Sequence, residues 1–148
     1  MYRDPISHLP DPIRQAEFYE GVTLKRGVAW IFDFIITALL VVPVLVFTAF
    51  LGVFFLPLLF FIVGFFYRVF TITHGSATLG MRMMAIEFRD MHGQRLDRQQ
   101  AFMHTLGYTF TIMTFLLQLV SIGFMFTSER GQGLTDMALG TVALNKRA

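Results

Sequence analysis

From Phe34 to Tyr67 the chain carries no charged residue, and Val, Leu, Ile and Phe fill most of the run. Such a segment belongs in a lipid bilayer. An α-helix rises about 1.5 Å per residue and the hydrocarbon core is roughly 30 Å thick, so about 20 apolar residues cross it once. The wider apolar stretch from Gly27 to Thr73 is too long for one crossing and suits two. A turn near Ala49-Phe50-Leu51-Gly52 divides it into spans at about 27–48 and 52–73. Pro43 and Pro57 stand on either side of that turn. Each removes a backbone hydrogen bond, so both helices are expected to kink.

A third stretch without formal charge covers residues 99–128. Asp97 with Gln100 resembles a capping box and starts a helix there. The stretch is too long for a straight span and too short for two. Gln118, Ser121 and Gly123 gather in its second half, which places a break there with the chain bending back. The expected fold is therefore an all-α integral membrane protein. It has two kinked transmembrane helices, a cytoplasmic loop with a short β-strand, and a third, broken or re-entrant transmembrane segment.

Residues 1–25 read as a cytoplasmic N-terminal arm and residues 26–148 as one membrane domain. In the arm, Asp11-Pro12 opens a short helix that stops at Gly21, with Phe18 and Tyr19 facing the membrane interface. The arm is polar and the apolar run after it too long for a signal peptide. In the middle loop, 75–98, Met84, Ile86 and Phe88 alternate with Ala85, Glu87 and Arg89, a period of two that predicts a strand. His92-Gly93 makes a turn after it. Thr141-Val142-Ala143-Leu144 is a weaker strand in the tail.

Only 15% of the 148 residues are charged, where a soluble domain carries about a quarter. There is no cysteine, which excludes disulfides, thiolate metal sites and cysteine nucleophiles. The four histidines, His8, His74, His92 and His104, lack metal-ligand spacing, so neither a metal nor a cofactor is expected. No Walker or dinucleotide fingerprint and no nucleophile–base set is present, and an enzyme is not expected. The net charge of +2 gives no ground for nucleic-acid binding.

The charge distribution speaks instead to topology. Arg3, Arg14, Lys25 and Arg26 precede the first span. Arg68, Arg82, Arg89, Arg95 and Arg98 follow the second, and Arg130, Lys146 and Arg147 lie in the tail. The turn between the first two spans has none. By the positive-inside rule the arm and the middle loop are cytoplasmic. If the third stretch doubles back, the tail returns to the same side and its strand can pair with the one at 84–90.

Asp33 is the first candidate for chemistry. It lies about 10 Å into the first helix counting from Arg26. A charge at the helix centre costs on the order of 2.5–3.5 kcal/mol, and less towards the ends. Asp33 must be protonated, hydrated or paired. Arg26 is the natural partner and would set the affinity of Asp33: Arg26, Trp30, Asp33 and Thr37 share one helical stripe, although a direct pair within the helix would need both side chains stretched. A partner from another segment is sterically easier. Asp136 is the third candidate, because a tail that folds back brings it to the side where Arg26 sits.

These residues also carry a resemblance. Lys25-Arg26-Gly27-Val28-Ala29-Trp30-Ile31-Phe32-Asp33 resembles the opening of the RDD family of bacterial membrane proteins, named for one arginine and two aspartates. Thr78-Leu79-Gly80-Met81-Arg82, then Ile86 and Gly93, are similar to the family's loop after the second span. Thr135-Asp136-Met137-Ala138-Leu139-Gly140-Thr141-Val142 resembles its closing motif. Arg26, Asp33 and Asp136 match the three naming residues, and the likeness covers roughly residues 22–144. The chain departs from the pattern at Leu79 (often Pro), Met81 (often basic), His104 (often Arg) and Thr135 (often His). The resemblance implies a multi-pass protein of the bacterial inner membrane, with Arg26, Asp33 and Asp136 as a ligand or ion site or a structural ion-pair network. It also implies a role for which transport of unknown ligands has been proposed. Two functions stay open. One is transport of an ion or small ligand, which three short spans achieve only as a homo-oligomer or in a larger complex. The other is a non-catalytic accessory or assembly subunit, docked through its Phe-rich faces with Gly64 and Gly107 allowing close approach.

Overall fold

A computed structural model describes residues 9–146. Arg3, His8 and Arg147 lie outside the described residues. Helix α1 (Val22–Phe47) follows Gly21, whose φ of 68° suits a residue without a side chain. It runs as one helix through Pro43. The chain then turns at Thr48–Phe50 and passes through a 3-10 segment, Leu51–Phe55, into α2 (Leu56–Thr73). Pro57 stands in the first turn of α2, where its missing N–H has no partner to lose. It therefore starts that helix where a kink was expected. In the arm, Asp11 accepts from the N–H groups of Ile13 and Arg14, but only a 3-10 turn, Ala16–Phe18, forms in place of the expected helix.

Both long helices are apolar and long enough to cross a membrane. Many of their large side chains point outward: Phe47 is 89% exposed and Phe66 68% exposed, with Leu39 and Phe70 also exposed. The packed core sits elsewhere, where Ile72, Ala77, Ile86, Phe88, Leu96, Ala101 and Ala143 bury one another at the polar end. This inverts a soluble fold, in which large apolar side chains gather inside. It fits helices whose solvent is lipid, and the chain is a membrane protein.

After α2 come a short helix α3 (Leu79–Met83) and strand β1 (Ile86–Arg89). The tail holds α6 (Leu134–Leu139) and β2 (Val142–Asn145). β1 pairs antiparallel with β2, Phe88 facing Ala143, as expected if the tail folds back. Lys25 Nζ donates to Asn145 Oδ1 at 2.7 Å, and Asn145 Nδ2 donates to the carbonyls of Glu17 and Glu20. The arm, the middle loop and the tail thus share one end of the molecule, and the uncharged turn after α1 forms the other.

Between the strands lie α4 (Arg98–Met113) and α5 (Phe115–Thr127). Asp97 and Gln100 close the expected capping box at the start of α4. The two helices bend by 116° at Thr114, so the break falls before Gln118, Ser121 and Gly123 and not among them. Thr114 donates its N–H to Phe110 and accepts from Gln118 N–H, so both of its backbone groups stay bonded through the bend. That matters where no water is at hand. Ser121 is buried and accepts from Leu134 N–H, which docks α6 on α5.

Candidate functional site

Of the four buried carboxylates among the described residues, Asp33 and Asp136 lie on helices, each with its own partners. Asp136, with no exposed surface, is the centre of the first. Its Oδ2 lies 2.6 Å from Arg26 Nη1 and accepts from Gly133 N–H at 3.1 Å. Its Oδ1 lies 2.8 Å from His104 Nε2 and accepts from Thr141 Oγ1 at 2.9 Å. Burial alone would push this carboxyl's pKa up. The Arg26 guanidinium and His104 outweigh burial and hold it well below the usual carboxylate range. Phe88 lies beneath the cluster: its ring centroid is 4.3 Å from that of His104 and 5.4 Å from Arg26 Cζ. One carboxylate therefore ties α1, α4, α6 and the approach to β2 over a residue of β1.

Asp33 centres the second. It is 8% exposed and faces α2 and α3. Tyr67 donates its hydroxyl to Oδ1 at 2.6 Å and Gly80 its N–H at 2.9 Å. Thr78, the N-cap of α3, donates its hydroxyl to Oδ2 at 2.6 Å. Gly80 has to be glycine here, because a Cβ would stand 2.2 Å from the Ala29 carbonyl oxygen and 2.8 Å from Asp33 Oδ1. Among the described residues Asp33 has no ion pair. Arg26 and Asp136 are thus brought together, and Asp33 stands apart with three neutral donors.

Beside Asp33 a cavity of about 420 Å³ opens between α1, α2 and α4. Its polar lining includes Asp33, Tyr67, Arg68 and Tyr108, with Trp30 and two threonines, and Phe34, Phe60 and Phe65 supply much of the apolar wall. Trp30 reaches across and donates Nε1–H to Tyr108 at 2.7 Å. Arg68 lays its guanidinium over the Tyr108 ring, Cζ 3.8 Å from the centroid. Gly107 packs within the chain, where a Cβ would stand 2.6 Å from Thr135 Cγ2, and Gly64 lies against Thr37. The small faces expected to admit a partner serve internal helix packing.

Sequence reasoning missed Tyr67, Thr78 and Gly80 as the partners of Asp33, and it read Arg68 only as a flanking charge. Neutral donors leave no charge signal. Gly80 and Thr78 lie within the motif that carried the family resemblance, which was the one available pointer. The RDD family model matches residues 21–140 of this chain. No curated protein and no solved structure matches it.

Proposed function

The chain belongs to the RDD family, and from that premise we propose that this small membrane protein moves an ion or small ligand through the site beside Asp33. The observation that carries the reading is a carboxylate that lines a cavity among apolar helices and makes no ion pair among the described residues. A carboxylate held there by neutral donors, without a direct ion pair, is costly, and it suits a site where a proton or ligand neutralises it during the cycle. The donors around Asp33 suit such a change. Tyr67 and Thr78 hydroxyls donate to the ionised form, and either can rotate to accept when the carboxyl takes up a proton. Arg26 is committed to Asp136, so it holds the fold and leaves the charge of the cavity to Asp33 and Arg68.

In this reading the protein sits in a bacterial inner membrane with its N-terminus cytoplasmic. The bent pair α4–α5 enters and leaves on that side, and Pro43 gives α1 a point of flexure. The shared end of arm, loop and tail supports the orientation, because Lys25, Arg89 and Lys146 all lie by the sheet. A reporter fused after Ala148 is expected to read as cytoplasmic. Three short segments enclose no pathway alone, so the working form is a homo-oligomer or a larger membrane complex.

The test is proton and sodium flux into proteoliposomes, comparing wild type with Asp33→Asn at equal reconstituted amounts. Flux that disappears in a folded mutant is the expected result. A well-folded wild type without flux would overturn the transport reading. A second reading, an accessory or assembly subunit, draws on the partners within the chain that both oxygens of Asp33 and of Asp136 already have. There Asp33→Asn lowers abundance, and a fully assembled but inactive mutant at normal levels contradicts it.

A further inference from the structure

Each of the two long apolar helices carries one arginine, and their circumstances differ. Arg26 has the Asp136 carboxylate and the Gly131 carbonyl. Arg68 has no oxygen partner among the described residues, and its Nε is buried without a hydrogen bond. Its guanidinium lies on the face of Tyr108. That stacking uses the face of the plane and leaves the in-plane N–H donors unspent. Tyr108 adds another donor: its oxygen accepts from Trp30, and its own hydrogen has no acceptor among the described residues. Asp33 does not fill the gap: its donors are Tyr67, Thr78 and the Gly80 N–H, and no hydrogen bond or ion pair joins it to Arg68 among the described residues.

The cavity these groups line is graded along its length. Arg68, Asp33, Tyr67, Trp30 and Tyr108 gather at the end near the sheet. Leu56, Pro57 and Phe60 line the other end. Along α2, Leu56 and Arg68 are roughly 18 Å apart. The wall is open sideways, since Trp30 is 43% and Phe34 51% exposed. A guanidinium with unspent donors at one end of an apolar slot facing lipid is complementary to a molecule with an oxyanion head and a hydrocarbon tail.

We infer that the cavity binds an anionic amphiphile, with its carboxylate or phosphate held by the Arg68 guanidinium and the Tyr108 hydroxyl and its chain lying between α1 and α2. This rests on the proposal that the cavity is the ligand site, and it names the class of ligand. The charges also make a specific demand. Ionised Asp33 cancels Arg68 within the cavity, and neutral Asp33 leaves it net positive. The anion is therefore held more tightly where residue 33 carries no charge.

The experiment uses full-length protein purified in a neutral detergent. A fluorescent long-chain fatty acid is the probe, displaced by an alkyl phosphate, by the uncharged alcohol of equal chain length, and by acetate or inorganic phosphate. The fatty acid and alkyl phosphate are expected to bind, with the alcohol about tenfold to a hundredfold weaker, the factor a charge-assisted hydrogen bond supplies. Displacement by acetate or phosphate at similar concentration would show that the head alone suffices and that a free anion is the ligand, which would overturn the amphiphile. Arg68→Gln is expected to lose that same factor, Arg68→Lys to keep part of it, and Asp33→Asn to bind more tightly. Equal binding of alcohol and acid to wild type overturns the inference even if Arg68→Gln fails to fold. Unchanged affinity in a folded Arg68→Gln overturns it too. Asp33-dependent ion flux without amphiphile binding sinks this inference alone. Amphiphile binding without flux sinks the transport reading and keeps the site.

Discussion

Replacing Asp136 with Ala is expected to cost about 3–5 kcal/mol of folding stability, the usual result of removing one partner from a buried ion pair. The carboxylate has no exposed surface and receives Arg26, His104, Thr141 and the Gly133 N–H. With it gone, the Arg26 guanidinium, 14% exposed, stays in place without its counter-charge. Four elements lose their shared anchor, so the tail from α6 onward should detach first. Unfolding in mild detergent reads the free energy, and limited proteolysis after residue 128 reads the detachment. The double change Arg26→Met with Asp136→Leu should be milder than Asp136→Ala, because it removes both charges from the buried site. If the double change is as damaging as the single one, the pair is not what holds these elements together.

The same carboxylate predicts a response to acid. Its folded pKa lies below its unfolded one, so the unfolded chain binds the proton more readily. The stability it contributes is therefore complete above the ordinary aspartate pKa of about 3.9 and is lost as pH falls from there towards the depressed folded value. Wild type should lose stability on acidification below that point more steeply than Asp136→Ala.

Gly80→Ala is expected to cost about 1–3 kcal/mol, the range for overpacking a filled site. The added Cβ would meet the backbone oxygen of Ala29 at 2.2 Å, and a helix carbonyl cannot swing aside as a side chain can. Moving α3 away to make room stretches the bond from Gly80 N–H to Asp33 and disturbs the Thr78 cap with it. The control is Gly27→Ala. A Cβ there meets nothing within 4 Å, and Gly27 lies inside α1, so alanine should stabilise by roughly 0.5–1 kcal/mol. Parallel unfolding curves with opposite shifts would support the close packing of α3 on α1. Equal shifts in one direction would contradict it.

How far the sequence reaches can be judged residue by residue. The membrane class, the two long helices, the capping box at Asp97 and a strand, read at 84–90 and formed at 86–89, follow from patterns that a short window contains. The approach of Arg26 and Asp136 followed from opposite charges and a tail expected to fold back. The positions where reading failed have a common cause. Pro57 bends a helix or starts one depending on where the preceding turn ends, and that turn was longer than expected. The break at Thr114 came earlier than the polar residues that seemed to mark it. A helix from Asp11 to Gly21 had a cap, but in the structure the segment forms only turns.

By itself, then, the sequence determined that this is a membrane protein, because apolar runs act on lipid and water directly, one segment at a time. It also determined which charged residues needed partners. Only the tertiary structure decided which partners they received. Asp33 is met by a phenol, a hydroxyl and a backbone N–H from α2 and α3. Arg68 is left facing a cavity beside Tyr108. Neutral donors and empty space have no charge or period along a chain. They arise from the distances at which helices cross, and here glycines such as Gly80 and Gly107 set those distances by what their missing side chains allow.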